Sequence, residues 1–162
     1  MTEIIKGVPA YTGMFQYRCE EGGFSVWLPT DWHKYELEGK RVGAIFSPYA
    51  DDINTSLYFE KHDLKVKVRE EDMSILREGF TQGIQALPGV EILSQTESLA
   101  SLISVFEATY TFMDCDIRRK RWAKNIYWGR AQLVMIAQGR TPEIYDYWKP
   151  MFYNAMVNTK IM

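Results

Sequence analysis

Gly23–Trp32, read Gly-Phe-Ser-Val-Trp-Leu-Pro-Thr-Asp-Trp, constrains this chain more than any other stretch. Phe24, Val26 and Leu28 alternate with Ser25 and Trp27, the two-residue period of a strand. Pro29 lacks an N–H and ends the ladder. Thr30 and Asp31 are turn formers. Trp32 is then placed to fold back over the strand end, because an indole buries a large apolar area. The structural role for Trp27 and Trp32 is core or lid packing. The functional alternative is a ligand platform.

Other elements follow from similar patterns. Residues 1–13 read as an irregular lead-in. Phe15, Tyr17 and Cys19 alternate as a first strand and turn at Glu21-Gly22-Gly23. Val42–Ser47 and Thr55–Phe59 are two more strands. A helix begins near Glu70, with Glu70, Glu71 and Asp72 at its positive end and Met73, Leu76, Phe80 and Ile84 as its apolar stripe. Gly79 and Gly83 disfavour this helix by about 1 kcal/mol each relative to Ala, which suggests close packing on a sheet. Pro88-Gly89 ends it.

Strands are then expected at Val90–Glu97, Leu102–Met113, Arg118–Tyr127 and Ala131–Ala137. Leu133, Val134, Met135 and Ile136 are apolar in succession, as in a strand covered on both faces. A last helix starts with Thr141 as cap, Pro142 in the first turn and Glu143 beside it. Its buried stripe is Ile144, Tyr147, Trp148, Met151, Ala155 and Met156, leaving Tyr145, Phe152 and Tyr153 partly exposed. Pro150 should kink or restart it. The order of strands, helix, strands and helix predicts one α+β domain over residues 1–162, an antiparallel sheet of about six strands sandwiched by helices.

At 162 residues the chain can bury a full core. Its net charge of −2 gives no global attraction to polyanions. No apolar run reaches the roughly 20 residues of a membrane helix. The first residues lack the apolar core of a signal peptide, which predicts a cytoplasmic protein. Cys19 and Cys115 are isolated and read as free thiols.

Four features taken together carry a family resemblance. They are the strand leading into Pro-Thr-Asp-Trp, the helix before Leu87-Pro88-Gly89, the hairpin around Tyr127-Trp128-Gly129-Arg130, and the Thr141-Pro142-Glu143 helix. The chain resembles the PsbP-like superfamily (the Mog/PsbP fold) over about residues 15–160. The resemblance implies an antiparallel sheet between helical layers and a mostly non-enzymatic role, exercised by docking to a partner.

The search for chemistry yields little. His33 and His62 are the only histidines, and no metal-ligand spacing surrounds them. Nucleophile elbows, phosphate loops and dinucleotide fingerprints are absent, so no cofactor is expected. Asp51-Asp52 with a histidine is the one hydrolytic combination, and paired acids in turns are commonly turn formers.

The local charge anomaly is Arg118, Arg119, Lys120, Arg121, Lys124 and Arg130, six basic residues among the thirteen from 118 to 130. On a strand, Arg119 and Arg121 point one way. Arg118, Lys120, Trp122, Lys124 and Trp128 point the other. Such a strip fits an acidic protein surface better than nucleic acid, since no RNA-binding motif is present. Pairing with Glu107, Asp114 or Asp116 would instead make it structural. The leading expectation is a non-catalytic domain acting by protein docking or self-association, with this strip as the contact. A small-molecule binder with an aromatic cleft of Trp27, Trp32 and Trp148 ranks second, and a hydrolase third.

Overall fold

The computed structural model describes Pro9, residues 13–100 and residues 102–162. Almost all of the expected lead-in over residues 1–13 lies outside these described residues. The strands are β1 Met14–Cys19, β2 Phe24–Pro29, β3 His33–Glu36, β4 Val42–Ser47, β5 Ser56–Asp63, β6 Glu91–Leu99, β7 Ser104–Asp114, β8 Ile117–Trp128, β9 Ala131–Gly139 and β10 Lys160–Ile161. The helices are α1, Met73–Gln85, entered through a 3-10 turn at Glu70–Asp72, and α2, Pro142–Val157.

The strands form two antiparallel sheets. The large one has the order β3-β4-β5-β9-β8-β7-β6, and the small one β1-β2-β10. The sequence pointed to one sheet of about six strands. Short β3 and β10 carry too few residues to show a period, and the early hairpin leaves the large sheet to form a layer of its own.

The small sheet and α2 share one face of the large sheet. Phe24, Val26 and Leu28 of β2 are fully buried against Phe46, Phe59, Leu133 and Met135. Each such side chain contributes about 1.5–3 kcal/mol. Pro29 closes β2, and the Trp32 N–H turns back to its carbonyl at 3.3 Å. The Trp32 ring meets Trp148 and Phe152 of α2 edge-on, at 5.5 and 6.2 Å between centroids. It closes the core.

The opposite face carries α1. Ile84 packs on Ala108, Tyr110, Phe112 and Ala123, and Phe80 on Phe106. Thus α1 covers β6–β8 on one side, while α2 and the small sheet cover β4, β5 and β9 on the other. Each face of the large sheet is left half open. That explains why β9 buries Leu133, Met135 and Ala137 completely but Val134 and Ile136 only partly.

Several local expectations change. A Cβ on Gly79 or Gly83 would meet nothing within 4 Å, so neither glycine permits close packing. The close approaches are at Gly43, where a Cβ would run into the Phe59 carbonyl, and at Gly139, where it would run into the Tyr145 backbone. Helix α2 is capped by the Thr141 hydroxyl, which accepts from the Ile144 N–H at 3.2 Å, and runs unbroken through Pro150. Tyr145 and Phe152 are buried rather than exposed. Wedged between a sheet and a hairpin, α2 must be apolar over a wider arc than a helix lying on one surface. Tyr153 alone of those three stays open, at 57%.

Candidate functional site

The basic strip lies on β8. Register with β7 and β9 places Arg119 and Arg121 on the α1 side, opposite Phe112, Tyr110 and Gln138. Arg118, Lys120, Trp122 and Lys124 take the α2 side. Every basic side chain of the strip has a partner within the chain. Arg119 is buried, its Nε 2.7 Å from Asp114 and a terminal nitrogen 3.3 Å from the Arg140 carbonyl. Arg121 donates twice to Gln138 Oε1, at 2.9 and 2.6 Å, and lies over the Phe112 ring. Arg118 bonds the Thr111 hydroxyl and the Gly89 carbonyl, and Arg130 the Lys65 carbonyl.

Lys120 reaches Asp146 on α2 at 2.8 Å and covers the Tyr145 ring. Lys124 donates to the Met156 carbonyl at 2.8 Å, satisfying the C-terminal end of α2. Burial holds its ammonium below the usual lysine range. Arg119, Arg121, Arg118 and Arg130 therefore brace loops and strands. Of the strip, Lys120 alone combines bracing with a place in the groove on the half-open face.

On that face the strip borders a groove of about 360 Å³, lined by Leu93, Thr109, Lys120, Trp122, Lys149 and Tyr153, among others. The groove exists because α2 covers β8 and β9 and stops short of β6 and β7. Trp122 is held by an indole N–H bond to Glu107 at 3.0 Å. Tyr153 tilts over it at 6.4 Å between centroids. An aromatic pair flanked by Lys120 and the exposed Lys149 is chemically suited to an apolar contact ringed by carboxylates. Sequence reading missed Leu93 and Lys149 because they lie 56 residues apart in sequence. It flagged Tyr153 through its place outside the buried stripe.

The three tryptophans do not share a cleft. Trp32 and Trp148 are core residues, 7% and 8% exposed. Trp27 turns away from Phe24, Val26 and Leu28, is 39% exposed, and lines an open depression with Met14, Asn154 and Val157. The same alternation that made β2 recognisable sends Trp27 to the far side.

Asp52 pairs with Arg140 at 3.3 Å and accepts the Asn54 N–H at 2.9 Å. Asp51 is exposed at the loop surface. His62 lies six residues beyond Ser56 on β5, roughly 20 Å from that loop at strand rise. His33 pairs with Ser47 at the loop's own end. Asp52 is thus engaged in the scaffold and His62 is remote, while His33 lies beside the loop.

A polar cluster that the sequence did not reveal occupies the other half-open face. Glu60, 5% exposed, takes a bidentate bond from Arg41 at 2.8 and 2.7 Å and a hydroxyl bond from Tyr58. His62 Nε2 stands 3.8 Å away. The Arg41 guanidinium holds the Glu60 carboxyl down to about 2. Burial, reinforced by the carboxylate, pushes the Tyr58 hydroxyl up to about 12. A carboxylate so firmly ionised is an anchor, not a proton donor near neutrality.

No protein-family model matches the sequence, and no curated protein matches it. Solved structures do match. The layered antiparallel α+β arrangement is that of cyanobacterial PsbP (CyanoP) from Synechocystis, at TM-score 0.67 and 11% identity, over 96% of this chain and 98% of that one. LpqN, involved in cell envelope biogenesis of Mycobacterium tuberculosis, aligns at TM-score 0.62 and 12% identity, over 93% and 91% of the two chains. The Ran-binding protein Mog1p of Saccharomyces cerevisiae aligns at TM-score 0.55 and 6% identity, over 92% and 95%. The chain has the PsbP/Mog1-like fold. Among the described residues no helix is long and apolar enough to cross a membrane.

Proposed function

We propose that this chain is a non-catalytic binding domain that docks an acidic, partly apolar segment of a protein partner. The observation that carries this reading is the groove beside α2. There the half-buried Trp122 and the exposed Tyr153 lie between Lys120, which also holds Asp146, and the exposed Lys149. Aromatic rings are enriched at interfaces, and lysines at their rim suit a segment that carries both apolar and carboxylate groups. That one solved structure of this fold is a Ran-binding protein supports a docking role. The free thiols Cys19 and Cys115 accord with a reducing compartment, so we place the protein in the cytoplasm.

The test is affinity capture from the cells that make the protein, with Tyr153→Ala/Lys149→Glu beside wild type and Lys160→Glu as a surface control. Capture by wild type and control, with loss of about tenfold or more in the groove variant, supports the reading. Equal capture by all three removes the groove from the reading. Turnover of a substrate by the purified chain would replace the reading with an enzyme.

A further inference from the structure

The outer edge of β6 has no described strand paired to it. At the opposite edge of the same sheet, β3 is four residues long and carries Lys34. Short length and a lysine are usual guards against edge-to-edge pairing. Strand β6 has neither. It spans nine residues, Glu-Ile-Leu-Ser-Gln-Thr-Glu-Ser-Leu, with no lysine or proline, and all but Ile92 are exposed. Its one irregularity is at Leu93, between Ile92 and Ser94, leaving 94–99 in regular register with β7.

The segment Ser94-Gln95-Thr96-Glu97-Ser98 is chemically symmetric about Thr96 and lies wholly within the regular register. Two copies placed antiparallel with a two-fold axis at Thr96 oppose Ser94 to Ser98, Gln95 to Glu97 and Thr96 to itself. Each of these sets a hydrogen-bond donor against an acceptor on the same sheet face. Glu97 is neutralised by its own Arg77 through bonds of 2.7 and 2.9 Å. Pairing therefore brings no bare like charges together.

Backbone parity agrees. The Ala100 N–H bonds the Ile103 carbonyl at 3.0 Å, across from each other in the β6–β7 register. By alternation Ser98, Thr96 and Ser94 share their main-chain bonds with β7, and Gln95 and Glu97 turn theirs outward. Those outward groups face each other when Thr96 sits on the axis, giving about four central main-chain hydrogen bonds. Leu99 at 50% exposure, Leu102 at 82% and Ile103 at 38% extend an apolar margin toward the start of the second copy's strand.

We propose that two copies of this chain pair through β6, with Thr96 on the two-fold axis, to make one continuous sheet across a homodimer. A contact of this kind is isologous and closes on itself. It uses the main-chain edge of β6, whose Leu93 and Ser94 also border the groove, whereas Tyr153 and Lys149 lie on α2, so Tyr153→Ala/Lys149→Glu should dimerise as wild type does.

The experiment is a sedimentation series on the full chain with Thr96→Lys, Thr96→Glu and their equimolar mixture. Thr96 is exposed, and near-ultraviolet circular dichroism checks that each variant folds. Wild type should dimerise with rising concentration. Each single variant sets like charges opposite one another and should raise the dissociation constant at least about fivefold. The mixture should restore dimer. A second arm uses Thr96→Cys in a Cys115→Ser background. It should cross-link to itself on mild oxidation, whereas Gln95→Cys, off the axis, should not. A wild type that stays monomeric, variants that dimerise as tightly as wild type, or failure of Thr96→Cys to cross-link overturns the proposal.

Discussion

Arg119 is the most exposed-looking charge in the sequence and among the most buried in the fold. It sits in a run of four basic residues, yet its side chain is 8% exposed and holds Asp114. Arg119→Glu should set two acids together and destabilise the fold by about 2–3 kcal/mol, a discounted value because Asp114 is half exposed. Lys149→Glu, on an open surface, should stay within about 0.5 kcal/mol of wild type. Urea melts compare the two directly. Glycine at 139 admits Tyr145 against the end of β9, so Gly139→Ala should cost about 1–3 kcal/mol through overpacking. Gly79→Ala should gain about 0.5–1 kcal/mol, since open space surrounds that Cβ and alanine favours the helix. Thermal unfolding of both variants should show opposite shifts. No sequence pattern distinguishes these glycines: what separates them is the neighbour across space.

Elements with a simple surface were legible, and those with two neighbours were not. Strand β2 announced itself because one face is wholly apolar and Pro29 stops it. Helix α1 lies on one sheet face, and Met73, Leu76, Phe80 and Ile84 marked that face correctly. Helix α2 touches both sheets, so Tyr145 and Phe152 fell outside the single stripe that periodicity could define. The basic strip was legible as a pattern of alternation, but not as a set of internal bonds. Those bonds come from Gln138, Asp146 and Met156, far along the chain. The Arg41–Glu60–Tyr58 cluster joins neighbouring strands β4 and β5 by register, which no local motif encodes. Its carboxyl is lowered from 4.5 to about 2 in the fold. That contribution is therefore complete above about pH 4.5 and is lost as pH falls toward 2. Glu60→Gln should remove on the order of 2 kcal/mol of this acid-dependent stability, allowing for the half-exposed Arg41. Urea midpoints measured from pH 7 to 2.5 should fall more steeply for wild type than for the variant.

The whole molecule is a large sheet whose two faces are covered on opposite halves. That offset is what leaves room for function. On one side it exposes the groove of Trp122, Tyr153, Lys120 and Lys149. On the other it exposes the face bearing Glu60. At the rim no described strand pairs with β6. The early tryptophan-closed strand serves as scaffold: Trp32 seals the core, and Trp27 belongs to a different surface from Trp148. The central claim is that partner docking takes place in the groove beside α2. Hydrogen–deuterium exchange of the chain with and without its captured partner tests it most directly. The account predicts slowed exchange along β7 and β8 around Thr109 and Trp122 and in α2 around Lys149 and Tyr153, with β2 and α1 unchanged. Protection confined to α1, or to the Trp27 depression, would contradict it.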